Sequence, residues 1–218
     1  MEGFPTANKP TGSDSPTLPV VETFHSLQGE GLHAGRSAFF IRLAGCTVGC
    51  SWCDTKHSWP QGVHARRPLP ELAAETSAAA SAGAAFVVIT GGEPLHHNLA
   101  PLCDALAGAG LPLHLETSGV DPLSGRFAWI TLSPKRHRPP LAALLACCQE
   151  LKVIVHEPAD LAFAEAMAAA ACAAGNRPAL LLQPGWQSDG GRELALEHVR
   201  RSAGWRLSLQ SHKLLGVR

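Results

Sequence analysis

The sequence predicts an α/β fold built on a parallel sheet covered by helices. Three observations carry this: β-like runs alternate with helical ones from residue 85 onward, the β-like runs stop at glycine or polar turns, and those turns gather chemically useful side chains. Residues 85–90 form a compact apolar run ending at Gly91-Gly92, the pattern of a buried strand stopped by a turn. Residues 98–109 carry apolar side chains at helical spacing and close on Gly110. Strand-like runs follow at 111–116, before Thr117-Ser118-Gly119, and at 129–132, before Ser133-Pro134-Lys135.

Residues 141–148 read as helix and lead into the β-branched run 151–155. Asp160 is placed to cap an Ala-rich helix reaching about residue 174. A strand at 179–182, a helix at 192–202 and a last strand at 206–209 complete the series. Earlier in the chain, 39–43 reads as its first strand, and Pro70 with Glu71 opens a helix over 69–82. The alanine runs at 78–85 and 168–174 are explained by helix propensity.

Polar residues recur just after the strands: Gly91-Gly92-Glu93, Glu116-Thr117-Ser118, Ser133 and Lys135, Gln183, and His212. In parallel α/β folds the ligand site lies at the carboxyl ends of the strands, so these turns predict one rim drawn from many strands. Turns are polar in any protein, but five such turns in one chain point to a shared site.

Composition narrows the function. Lys+Arg and Asp+Glu are both 18, which leaves no electrostatic footprint for nucleic acid or an anionic membrane and favours a small polar substrate. No apolar run nears the ~20 residues that span a bilayer, and residues 1–19, rich in Pro, Thr and Ser, lack a basic head with an apolar stretch. That segment is expected as a disordered tail, with a single domain over 20–218. Seven cysteines, three of them within eight residues, argue for a metal site in a reducing, cytoplasmic setting over a disulfide framework.

The central motif is Cys46-Thr-Val-Gly-Cys50-Ser-Trp-Cys53. Three thiolates on one loop grip three corners of an iron–sulfur cubane and leave one iron open, the mark of a catalytic metal centre. Gly45 and Gly49 permit tight turns, and Trp52 is placed to shield the cluster from water. Zinc is the plainer reading of such cysteines, with His57 as a fourth ligand by spacing, but zinc knuckles pair two C-x2-C halves and no second half exists. Cys147, Cys148 and Cys172 read as helix packing residues, and Cys103, beyond a strand and a helix, would have to approach the cluster through the fold.

C-x3-C-x2-C after a strand, with Thr90-Gly91-Gly92-Glu93-Pro94 at a later strand end, resembles the radical-SAM superfamily, whose open iron chelates S-adenosylmethionine (SAM). Further motifs are Thr23-Phe24-His25-Ser26-Leu27-Gln28-Gly29-Glu30-Gly31, Arg42-Leu43-Ala44-Gly45-Cys46, Cys53-Asp54-Thr55, Glu150-Leu151-Lys152 and Leu209-Gln210-Ser211-His212-Lys213. In this order they are similar to the 7-carboxy-7-deazaguanine synthase family of 7-deazapurine (queuosine) biosynthesis, over about residues 20–218. The resemblance implies a partial, open (βα) barrel of the radical-SAM type with a shortened helical layer, usually a homodimer.

It also implies the chemistry: a lyase that contracts the ring of 6-carboxy-5,6,7,8-tetrahydropterin to 7-carboxy-7-deazaguanine with loss of ammonia. The cofactors would be a 4Fe–4S cluster on Cys46, Cys50 and Cys53, SAM used catalytically, and Mg²⁺ on Thr55, with Asp54 as an alternative ligand on charge. SAM would meet Gly92, Glu93, Thr117, Ser133, Lys135 and Gln183. The pterin would meet Leu27, Gln28, Gly29, Glu30, Arg42, Thr90, His212 and Arg218. On chemistry alone Arg42, with Arg36 as a second candidate, suits the substrate carboxylate, because guanidinium forks match carboxylates. Lys152 reads equally well as a functional group or a structural ion pair. An electron donor such as flavodoxin or ferredoxin is the expected partner.

Two departures from the family pattern stand out. Ser118 follows Glu-Thr where asparagine is expected, and Gly185-Trp186 follows Gln183-Pro184 in place of an acidic or methionine-containing turn. The rival readings are a glycyl-radical activase, which would lack the 28–31 element and the His212 ending, and a non-catalytic zinc or iron–sulfur module.

Overall fold

The computed structural model describes residues 15–218. In chain order the strands are β1 (Thr17–Leu27), β2 (Ser37–Leu43), β3 (Arg66–Pro68), β4 (Val87–Gly91), β5 (Leu113–Thr117), β6 (Trp129–Leu132), β7 (Glu150–Val155), β8 (Ala179–Pro184) and β9 (Trp205–Leu207). They form one sheet in the order β3-β1-β2-β4-β5-β6-β7-β8-β9. From β2 to β9 every neighbouring pair is parallel, while β1 runs antiparallel to β2 and β3. The sheet does not close on itself, so the expected open, partial barrel is what the chain forms.

Helices cover one face: α1 (Leu69–Ser81), α2 (Ala100–Leu106), α3 (Ala142–Leu145), α4 (Pro158–Ala173) and α5 (Asp189–Arg201), with α6 (Ser211–Leu215) after the last strand. Strand alternation decides what they cover. Ile41, Leu43, Val87, Ile89, Leu115, Leu132 and Leu151 point outward and pack with Leu72, Leu102 and Leu106 in the main core. A second cluster joins Val153, Val155 and Leu182 to Ala164 of α4 and Ala195 of α5. Burial of this outer face drives folding, which frees the inward positions for other uses. The helical layer is thin: no helix lies between β5 and β6, and α3 spans only four residues.

Several elements differ from expectation. β1 and β3 were not foreseen, because Pro16 and Pro19 break the strand pattern. Pro19 is tolerated where β1 passes from β3 to β2, next to an irregularity in the register. The tail boundary expected at residue 19 therefore falls inside a strand, since Thr17 to Pro19 pair with Arg66 to Pro68; residues 1–14 of that tail lie outside the described residues. The helix expected over 141–148 shrinks to α3, and Cys148 is buried against the main core. Asp160 is not the cap but the third residue of α4, its carboxylate accepting from the N–H of Glu157 at 3.1 Å and of His156 at 2.9 Å. Among the described residues no helix is long and apolar enough to cross a membrane.

Candidate active site

The cysteine loop leaves β2 and is fastened to the end of β4. Gly92 N–H donates to Leu43 O at 3.0 Å and Glu93 N–H to Gly45 O at 2.9 Å, extending the ladder into the loop. Gly91 and Gly92 are needed for this approach: a Cβ at Gly91 (φ +141°) would overlap Leu43 O, and one at Gly92 would overlap Gly45 O. The glycine pair therefore admits the cysteine loop itself. The far side of the loop is closed by Gly45 N–H to Ser58 O (2.8 Å) and Cys46 N–H to Trp59 O (3.1 Å). His96 Nε2 accepts from Thr47 N–H at 3.1 Å, and His96 Nδ1 pairs with Asp121.

A cavity of about 300 Å³ opens at the carboxyl ends of the strands. Cys46, Cys50 and Cys53 line it, as do Thr55 and Asp54. All three thiols are free; burial pushes the Cys46 and Cys50 thiols above their ordinary range, with Lys135 partly offsetting this at Cys50. Soft thiolate donors in a half-buried pocket fit an iron–sulfur cluster. Among the described residues no three His, Cys, Asp or Glu side chains are grouped closely enough to hold a single metal ion. Thr55 Oγ1 lies 3.5 Å from Cys53 Sγ, an oxygen donor beside the thiols that suits a hard cation completed by water and substrate.

On the wall formed by β4, β5 and β6, Glu93 is 2 % exposed and fully engaged. Its carboxylate accepts from Thr117 Oγ1 (2.5 Å), Leu95 N–H (3.1 Å), Ser118 N–H (2.8 Å) and Ser118 Oγ. Ser118, shorter than the asparagine expected there, supplies two of the four donors. Lys135 Nζ donates to Ser133 Oγ at 2.8 Å. Burial lowers the Lys135 pKa, and the Cys50 thiol works against that fall.

The opposite wall is a network of charges around residues 28–31. Gln28 Nε2 donates to Glu116 Oε1 at 2.9 Å, and Thr90 Oγ1 to Glu116 Oε2 at 3.3 Å. Lys152 pairs with Glu30, which also accepts from Gln210 Nε2 at 2.9 Å. Burial works to raise the Glu30 pKa, but the Lys152 ammonium outweighs it and holds the carboxyl at about 2. For Lys152, burial is likewise overcome, by Glu30, Glu116 and Glu150, and the ammonium stays charged. Behind the turn, Glu150 Oε2 accepts from Leu32 N–H at 2.9 Å. Arg42 Nε donates to Glu22 Oε1 at 2.9 Å, Arg218 pairs with the same Glu22, and both guanidinium groups lie near the Phe24 ring.

A strap formed by the C-terminal residues crosses this turn. Ser211 N–H and Oγ both donate to Gly29 O at 2.9 Å, and His212 lies so close to Gly29 that a Cβ there would overlap its ring. Lys213 pairs with Asp54 of the cysteine loop and sits 4.9 Å above the Trp186 ring.

With this geometry in place, comparison with known proteins gives one answer. The Radical SAM superfamily model matches residues 40–128. A 7-carboxy-7-deazaguanine synthase from Prochlorococcus marinus is 51 % identical over 93 % of this chain and 99 % of its own. The chain belongs to the 7-carboxy-7-deazaguanine synthase family. Another member, from Escherichia coli K12, is 36 % identical over 91 % of this chain and 98 % of its own. The crystal structure of QueE from Escherichia coli superimposes with a TM-score of 0.77 at 34 % identity, covering 90 % of this chain and 95 % of that one.

Apart from Arg36, every residue expected at the cluster, at SAM, at Mg²⁺ or at the pterin lines this cavity. The Arg36 guanidinium lies 4.9 Å over the Phe86 ring and contacts His33, outside the lining, because Arg36 precedes Ser37 at the amino end of β2, away from the carboxyl ends where the cavity opens. His57 is likewise outside the lining. Glu116, Gln210, Thr131, Phe24 and Phe40 line the cavity without having been singled out as ligand contacts. Inward parity was the available signal for Glu116 and Thr131, which are paired across β5 and β6.

Proposed function

We propose that this chain contracts 6-carboxy-5,6,7,8-tetrahydropterin to 7-carboxy-7-deazaguanine with loss of ammonia, as a radical-SAM lyase of 7-deazapurine biosynthesis. The observation that carries this is a cavity with a three-cysteine wall facing a wall of paired carboxylates and amides. A cluster on Cys46, Cys50 and Cys53 supplies, when bound, the electron that cleaves SAM to a hydrogen-abstracting radical.

The remaining roles belong to this chain's residues. Gly92, Glu93, Thr117, Ser133, Lys135 and Gln183 form the SAM side; since Glu93 already accepts four hydrogen bonds, its part includes fixing the β4 and β5 ends in relation to each other. Residues 27–30, with Thr90 and His212, offer the pterin ring donors and acceptors whose orientation is set in advance by Glu116, Lys152 and Gln210. Arg42 and Arg218 flank the Phe24 ring and present cationic groups to the substrate carboxylate. Lys152 serves through its ion pair with Glu30, which unites its two readings. Thr55 holds Mg²⁺, with Asp54 engaged by Lys213.

A cytoplasmic homodimer receiving electrons from a flavodoxin or ferredoxin completes the proposal, and free cysteines throughout suit a reducing compartment. The test is anaerobic turnover with reconstituted cluster, reductant, SAM, Mg²⁺ and the pterin, read by mass spectrometry. The deazapurine is the expected product. 5′-Deoxyadenosine without it would contradict the substrate, and neither product from a fully loaded cluster would contradict the reaction.

A further inference from the structure

Ser208 follows β9, is 3 % exposed, and lies behind the cavity wall outside its lining. Gly31 N–H donates to its Oγ at 3.0 Å, and its hydroxyl donates to Gln183 Oε1 at 2.7 Å. A hydroxyl carries one proton, so the direction is fixed: Ser208 accepts from the substrate turn and donates to the end of β8.

Gln183 is 1 % exposed, and its carbonyl oxygen is taken by Ser208. Glu30 and Gly31 are adjacent in the chain, so Ser208 bridges the substrate turn to the end of β8: Gly31 to Ser208, Ser208 to Gln183. Glu30 lies on the pterin wall, and Gln183 on the wall assigned to SAM. Moving either wall alone strands a buried donor or acceptor, which costs more than an ordinary hydrogen bond gains. A ligand that orders one wall therefore orders the other before its own ligand arrives.

We propose that Ser208 is a positioning residue joining the two walls, so that pterin binding and SAM binding strengthen each other. The proposal rests on the functional reading above. It is tested on the holoenzyme with the cluster oxidised and no reductant, so that SAM binds without turnover. Calorimetry measures SAM affinity with and without saturating 6-carboxytetrahydropterin, then the pterin with and without SAM.

In the unaltered protein each ligand should tighten the other by the same factor, about fivefold or more. Ser208→Ala should bring that factor to about one, with iron content retained and each ligand still binding alone; Ser208→Thr, which keeps the hydroxyl, should restore it. Gln183→Met removes the same hydrogen bond from its other end and should also abolish the coupling, with the double variant losing no more. Coupling that survives Ser208→Ala, or two ligands that bind the unaltered protein independently, overturns this proposal and leaves the functional reading standing. Failure of either ligand to bind the loaded protein overturns both.

Discussion

The two ends of the barrel interior are built from the same strands and the same inward parity, yet they do opposite work. At the carboxyl ends, Arg42, Thr90, Glu116 and Thr131 share one polar layer, paired in register across β2–β4 and β5–β6. Two residues earlier, the inward positions are Phe40, Val88, His114 and Trp129, and Phe86 stacks on His114 with ring centroids 4.2 Å apart. His33 closes this floor against Phe86, His114 and Trp129. Charges at the rim hold one another, as Lys152 and Glu30 do, whereas the floor keeps its histidine uncharged by burial. One rise of the pleat separates a reaction chamber from its seal.

Predictions follow from the difference, the largest first. Cys50→Ala removes one of three cluster ligands and should abolish iron loading and SAM cleavage, read by iron content and 5′-deoxyadenosine; full loading would remove Cys50 from the site. Lys152→Met leaves Glu30 buried without its partner, which should cost about 3–5 kcal/mol of stability and most of the pterin affinity. The Glu30 carboxyl is depressed to about 2, so the pair contributes fully above the ordinary range near 4.5 and fades as pH falls from 4.5 toward 2. Acid unfolding curves of the two proteins should therefore differ above pH 4.5 and draw together below it. Parallel curves would show that the pair is not buried.

The floor should respond in a different pH window. Burial first, with His33 and Arg36 adding to it, lowers His114 to about 4 from 6.5. The unfolded chain then takes up its proton first, so stability is complete above pH 6.5 and declines as pH falls toward 4, by up to about 1.4 kcal/mol per pH unit. His114→Phe should flatten the pH dependence of Tm across that window and leave the rim's SAM affinity unchanged. An equal slope in both proteins would mean His114 is charged in the fold. The smallest effect belongs to Cys172→Ala, an exposed cysteine far from the loop in sequence, which should keep the cluster and change stability by less than about 0.5 kcal/mol.

The rim was more legible in the sequence than the floor, for a physical reason. Rim residues follow strands that end at Gly91-Gly92 or Ser133-Pro134, and a glycine turn next to a carboxylate is a local signal. Phe86 and Trp129 sit in runs that read only as strand, because parity alone cannot say which face of a doubly buried strand looks inward. The same ambiguity hid Glu116: it was visible as a polar strand end, but its bonds to Gln28 and Thr90 come from β1 and β4. β1 was missed where prolines mask a strand that only the pairing with β2 and β3 stabilises. Arg36 looked like a carboxylate binder by residue type, but its place before the amino end of β2 puts it at the floor. Long-range pairing decided each of these cases.

The three-cysteine wall and the carboxylate wall line the same cavity, and whether they serve one reaction can be measured. The direct test is isotopic: turnover under anaerobic conditions with pterin deuterated on its reduced ring carbons, followed by mass analysis of recovered SAM and 5′-deoxyadenosine. Deuterium in the 5′ position of the adenosyl group, together with the deazapurine product, is the predicted result. Deazapurine formed with no deuterium in either adenosyl species would contradict the account, because the two walls would then not share a hydrogen transfer.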